Sequence, residues 1–132
     1  MFRRFELIRF QHCDPAGIVF YPRYVEMINA TVEDWFDHIG LSFADIHGPM
    51  NIAIPAVSLN VEFKAPSRLG ERIELQLTVE RIGTSSVNLA IDAIHGGEQR
   101  FLSKVTLVHI SKEDYRSRPW PETFLNAMAG GQ

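Results

Sequence analysis

The sequence predicts an α+β domain in which an antiparallel sheet is covered by one long helix. Three observations predict it: one stretch of helical spacing near the N-terminus, four later stretches of alternating apolar and polar residues, and short turn-forming segments between them. The chain has 132 residues, 45% hydrophobic and 22% charged, which suits one folded domain spanning residues 1–132 rather than a disordered tail. A domain of this size builds one core and has little apolar material left to enclose a deep pocket alone, so a partner subunit is expected.

The first element is a strand from Phe2 to Phe10, where Phe5, Leu7, Ile8 and Phe10 are mixed with charges. A loop must follow, because Gln11-His12-Cys13-Asp14-Pro15-Ala16-Gly17 contains Asp-Pro and Gly, which favour turns. Between Tyr21 and Ile39, Val25, Ile28, Val32, Trp35, Phe36 and Ile39 recur at steps of three and four and mark one face of a helix. Pro22 suits its first turn and Gly40 its left-handed stop. Ser42 with Asp45 resembles a capping box that opens one further short turn.

Beyond Pro55 the period changes to two. Val57, Leu59, Val61 and Phe63 alternate with Ser58, Asn60, Glu62 and Lys64, the pattern of a strand with one wet face. Ile73, Leu75, Leu77 and Val79 repeat it after a turn at Pro66 and Gly70, and Val87, Leu89, Ile91 and Ala93 repeat it again. Gly96-Gly97 offers a tight hairpin turn before a last long strand from Phe101 to Ile110. The proline-punctuated tail from Ser111 has room for a short terminal helix around Phe124, Leu125 and Met128.

A net charge of −3 and a pI near 5.9 exclude the basic stripe that general nucleic-acid binding needs. Cys13 is the only cysteine, so neither an intrachain disulfide nor a cysteine-built zinc cluster is available, and a cytoplasmic location is the expectation. Arg3, Arg4 and Glu6 interrupt what would be the apolar core of a signal peptide. No run reaches the roughly 18 apolar residues of a membrane helix, so no membrane partner is expected.

The loop from His12 to Gly17 is where chemistry is best placed, because it leads directly into the long helix. The first turn of a helix presents unpaired N–H groups and partial positive charge, which polarise a carbonyl as negative charge builds on its oxygen. A carboxylate beside that carbonyl can attack it or deprotonate a water that does. Asp14 is the candidate; its plainer role is to cap the turn before Pro15.

The run Phe10-Gln11-His12-Cys13-Asp14-Pro15-Ala16-Gly17-Ile18-Val19-Phe20-Tyr21-Pro22-Arg23-Tyr24 closely resembles the active-site segment of the 4-hydroxybenzoyl-CoA thioesterase family of hotdog proteins. The resemblance implies a hotdog fold, with the sheet wrapped around a central helix, and hydrolysis of an acyl-CoA or aryl-CoA thioester to free acid and CoA. It implies Asp14 as catalytic carboxylate, acting as nucleophile or as base, and the amide at Tyr21 as the group that binds the thioester oxygen. His12, Gly17 and Phe20 are expected at the pocket. It further implies homodimers, often dimers of dimers, with CoA across the subunit interface. No cofactor is called for, CoA being part of the substrate. Arg81, Ser85 and Ser86 lie in a turn similar to the family's CoA-contacting region, and Lys64 and Arg68 are further cations for its phosphates; ordinary solubility is the plainer account of these charges.

His12 and Cys13 as a nucleophile pair are disfavoured, since neighbours on an extended chain point to opposite faces. Asp34 and His38 share a helix side at i, i+4, yet two ligands are too few for a metal, and no metal site is expected; His47, His95 and His109 show no ligand spacing. Three other functions fit the same elements: a domain that binds acyl-CoA or acyl carrier protein without turnover, a hotdog hydratase, and an interaction domain. Asp14 speaks against the first, the lack of a matching His and acid motif against the second, and the polar loop before the helix against the third.

Overall fold

The computed structural model describes residues 1–131. Five strands form one antiparallel sheet in the order β1 (Phe2–Leu7), β4 (Arg72–Ile82), β5 (Ser86–His95), β6 (Glu98–Val108), β3 (Ala56–Phe63). Its inner face carries the alternating residues that the period of two predicts: Ile73, Leu75 and Leu77 on β4, Val87, Leu89, Ile91 and Ala93 on β5, Phe101, Val105 and Leu107 on β6, all buried. Helix α1 (Tyr21–His38) packs on the β1 and β4 side of that face, with α2 (Phe43–His47) against it and α3 (Glu122–Gly130) against β4. The hotdog arrangement is therefore present: an antiparallel sheet with a long helix on its inner face.

The expected punctuation is observed at α1, α2 and the β5–β6 hairpin. Gly40 follows α1 with φ +89, and the Ser42 side chain accepts from the Asp45 N–H at 3.2 Å to start α2. Gly96 and Gly97 turn that hairpin with φ +57 and +78, a pair of positive angles that glycine adopts without strain. The terminal helix α3 buries Phe124 and Met128.

Four expectations are corrected. The first strand ends at Leu7 rather than Phe10, because the chain bends into a 3-10 turn at Phe10–His12, where the His12 N–H donates to Arg9 O at 2.9 Å, and Phe10 is left 83% exposed. The buried stripe of α1 is Tyr24, Met27, Ile28, Thr31, Val32, Trp35 and Phe36, whereas Val25 is exposed. Hydropathy alone passes over Tyr24 and Thr31, whose hydroxyls find internal partners: Tyr24 donates to Ser67 Oγ at 2.8 Å and Thr31 to Met27 O at 2.7 Å. The last strand stops at Val108, since the His109 N–H turns aside to Ser85 O; Ile110–Ser111 (β7) then pairs with Ile52–Ala53 (β2), a small sheet that no alternation announced.

The fourth concerns β3, whose apolar side was expected to be its dry one. Leu59 and Phe63 stand opposite the buried Val105 and Phe101, yet are 42% and 51% exposed. The cause is position: β3 is an edge strand, and α1 packs over β1 and β4 on the same face, reaching Phe63 with Tyr21 and Tyr24 of its first turn. No helix among the described residues is long and apolar enough to cross a membrane.

Candidate active site

Asp14 sits in a tight turn built by its own neighbours. Cys13 and Val19 form an antiparallel bridge, the Asp14 N–H donates to Ile18 O at 3.0 Å, and the Gly17 N–H donates to Asp14 O at 2.9 Å. Pro15 takes the position its ring pre-forms, and Gly17 has φ +79, where a side chain would strain the turn. The Asp14 Oδ1 accepts from the Ala16 N–H at 2.9 Å, so the capping role is real. Its other oxygen, Oδ2, has no hydrogen-bond or cationic partner among the described residues. One oxygen thus fixes the side chain and the other is left for a ligand. Asp14 lines a cleft of about 470 Å³ with Phe10, Cys13, Pro15, Gly17 and Leu69.

The start of α1 supplies the second feature. Phe20, the residue before the helix, is extended (φ −71, ψ 124), and its N–H donates to His12 O at 2.9 Å. Pro22 has no N–H, and the Arg23 N–H is satisfied by Phe20 O at 2.9 Å. No side chain caps the helix, so the Tyr21 amide is left without a partner among the described residues, at the positive end of the helix. Beside it opens a cleft of about 320 Å³ lined by Tyr21, Tyr24, Phe63, Ile18, Val19 and the Lys64–Pro66 segment. The Phe63 ring lies 5.9 Å from that of Tyr24 and 6.1 Å from that of Tyr21, so the walls are largely aromatic.

Other expected residues are placed differently. His12 lines a separate polar cleft with Glu6, Gln11, Arg23 and Glu26, and its Nδ1 accepts from the Arg9 N–H at 2.8 Å, so the neutral ring carries its proton on Nε2. Cys13 borders the Asp14 cleft instead, which separates the two as a nucleophile pair. Arg81, Ser85 and Ser86 are not brought to Asp14 within one chain. Arg72, at the near end of β4, and Arg81 are nine positions apart, about 30 Å of extended strand. The Ser85 carbonyl accepts from the His109 N–H, and the Ser86 carbonyl from the Gly83 N–H and the Trp120 indole N–H. Asp34 is taken by Arg4 at 2.8 Å and His38 lies against the Phe2 ring.

The segment from Lys64 to Glu71 contributes what the sequence did not announce. The Val19 N–H donates to Ser67 O at 2.9 Å, the Leu69 N–H to Gly17 O at 3.2 Å, and Ile18 bridges to Arg68, so this loop forms the outer wall of the Asp14 turn. Pro66 and Gly70 had marked it as a turn and Lys64 and Arg68 as candidate cations for CoA, but not as a wall of the Asp14 turn. Its partnership with residues some fifty positions earlier leaves no local trace.

Comparison with known proteins follows the same geometry. The sequence profile of the thioesterase-like superfamily matches residues 8–128. A 1,4-dihydroxy-2-naphthoyl-CoA hydrolase of Acaryochloris marina is 26% identical over 105 residues, 78% of this chain and 76% of that protein. Among solved structures, a 1,4-dihydroxy-2-naphthoyl-CoA thioesterase from Synechocystis superposes with a TM-score of 0.90 at 20% identity, covering 97% of this chain and 95% of that one. A gentisyl-coenzyme A thioesterase superposes with a TM-score of 0.84 at 22% identity, covering 95% and 98%. At these identities the structural likeness is one of fold.

Proposed function

Because the chain belongs to the thioesterase-like superfamily, we propose that it hydrolyses an acyl-CoA thioester to free acid and CoA, and that the acyl group is an aryl one. The observation that carries the reading is a carboxylate held by one oxygen, followed seven residues later by an unpaired amide at the start of the next helix, each lining its own cleft. In the proposed reaction the thioester oxygen accepts from the Tyr21 N–H. Asp14 either adds to the carbonyl carbon, giving an anhydride that water opens, or takes the proton of a water that adds directly. Both routes put the developing negative charge on the oxygen facing the amide, and both end with the C–S bond broken and the electron pair on the CoA sulfur.

The aryl assignment rests on the Tyr21, Tyr24 and Phe63 cleft beside that amide, and it is supported by the aryl-CoA substrates in the names of the relatives. Whether the group is a hydroxybenzoyl or a bicyclic one is a finer choice within that class. Free-thiol release from a panel of aryl- and alkyl-CoA thioesters is the test: an aryl thioester is expected to lead in kcat/KM by at least about tenfold, the discrimination a shaped apolar pocket provides. A leading alkyl thioester overturns the aryl assignment. No turnover with any member leaves the alternative reading, a domain that binds acyl-CoA or acyl carrier protein without hydrolysis.

The working unit is proposed to be a homodimer, further paired as a dimer of dimers. Its support is the bare apolar side of edge strand β3 and the ~30 Å of β4 between the two ends of one chain. Arg81, Ser85 and Ser86 would then hold the CoA portion bound at the partner's Asp14. Leu59→Glu puts a charge on the β3 face and is expected to give a folded monomer without turnover, measured by sedimentation and thiol release. A Leu59→Glu protein that remains dimeric places the interface elsewhere.

A further inference from the structure

Arg100, on β6, is 4% exposed; its Nε is paired with Glu98 at 3.0 Å, and its side-chain hydrogen bonds all go to one segment. Nη1 donates to Glu71 Oε1 at 2.6 Å and Nη2 to Glu71 Oε2 at 3.1 Å, a forked pair, while Nη1 also donates to Pro66 O at 3.0 Å. The Arg100 carbonyl accepts from the Lys64 and Ala65 N–H groups at 2.9 and 3.3 Å. Glu71 Oε1 in turn accepts from the Arg68 N–H at 2.6 Å. One side chain and its own carbonyl thereby hold the Lys64–Glu71 loop at both ends and the middle. The loop's other side is the wall of the Asp14 turn, joined through Ser67 to Val19 and through Leu69 to Gly17, and Ser67 also receives the hydroxyl of Tyr24 from α1.

We propose that Arg100, acting through Glu71, is a positioning residue of the hydrolytic site: it fixes the Lys64–Glu71 loop, and the loop fixes the turn that aims Asp14. The inference rests on the functional reading above. Stability alone does not account for the arrangement. Removing a guanidinium from water offsets much of what a buried pair returns, and apolar side chains of similar volume often serve stability as well. What they cannot do is hold Pro66 O and, through the carboxylate, the Arg68 N–H at fixed positions. The Arg100 hydrogen bond also holds the Glu71 carboxyl down to about 2, so the fork stays charged at any pH where hydrolysis is assayed.

The test compares wild type, Arg100→Met and the double variant Arg100→Met with Glu71→Met, each by melting temperature, by kcat and KM on the best thioester, and by amide exchange at Val19 and Leu69. Arg100→Met alone leaves Glu71 without its cation and lowers the melting temperature; the double variant regains most of it. For a positioning role kcat stays down by about 10²-fold in the double variant with KM little changed, the cost of misplacing a reacting group by about 1 Å. The Val19 and Leu69 amides exchange at least about tenfold faster, as a local opening. Recovery of kcat together with the melting temperature, or unaltered exchange, overturns the proposal. Should the methionine variants not fold, Arg100→Lys keeps the charge and loses the fork; wild-type kcat and exchange in it would overturn the proposal equally. Wild type inactive toward every thioester would remove the functional reading instead, and the exchange rates would still decide whether the clamp holds the turn.

Discussion

Asp14→Asn will release thiol about 10³-fold more slowly than wild type while folding normally, within the ~10²–10⁴ range attributed to a positioned base. The substitution is informative because it separates the two duties of this side chain. Asparagine keeps an Oδ1 that accepts from the Ala16 N–H, the bond that shapes the turn at 2.9 Å, and it replaces the unpartnered oxygen with an amide nitrogen of the same size. The turn therefore survives and the negative charge does not. Asp14→Ala deletes both and confounds them. Equal turnover by Asp14→Asn and wild type at matched folded concentration would return Asp14 to a capping residue and assign the chemistry to another group. In wild type, a single turnover in oxygen-18 water detects the covalent route: label in the Asp14 carboxyl marks attack by the carboxylate, whereas label confined to the product acid is common to water activated by Asp14 and to an anhydride opened at its acyl carbon.

How much of this site was legible depended on whether the determining contacts were local. The helix from Tyr21 could be read because a spacing of three and four, Pro22 at its start and Gly40 after its end all act within a few residues, and the strands from Val57 onward because alternation is a property of consecutive side chains. The Asp14 turn itself was equally local: Asp, Pro and Gly each impose their own angles, and the two backbone bonds made by Asp14 span three and four residues. The errors came where tertiary partners decide. Tyr24 is buried with its hydroxyl given to Ser67, 43 positions away, Thr31 is buried with its hydroxyl returned to Met27 O one turn back, and Val25 is exposed, none of which hydropathy records. Leu59 and Phe63 alternate correctly and share the inner face with Val105 and Phe101, yet stay half-exposed, since nothing in a strand's own pattern says how far a helix of the same chain will cover it. The Arg100–Glu71 fork lies further beyond reach: two charged residues 29 positions apart look like solubility until the fold closes over them.

Tyr21→Pro will lower kcat by about 10²–10³-fold, as the loss of one oxyanion donor does, whereas Tyr21→Ala will retain most of it. A backbone amide is ordinarily hard to remove without breaking the helix that holds it, and position 21 is an exception on three counts. It is the first residue of α1, where proline is favoured because its fixed φ suits the helix and no intrahelical bond is lost. Phe20, which would precede the new proline, is already extended at φ −71 and ψ 124, the conformation proline demands of its predecessor. The Tyr21 N–H has no partner among the described residues, so its removal orphans no acceptor within the chain. The melting temperature should accordingly stay close to that of wild type. The alanine variant controls for the side chain, which stands 6.1 Å from Phe63 at the rim of the aromatic cleft; its loss is expected in KM for aryl thioesters rather than in kcat. If Tyr21→Pro turns over as fast as Tyr21→Ala, the thioester oxygen is held by some other donor, and the free amide at the start of α1 has no part in the chemistry.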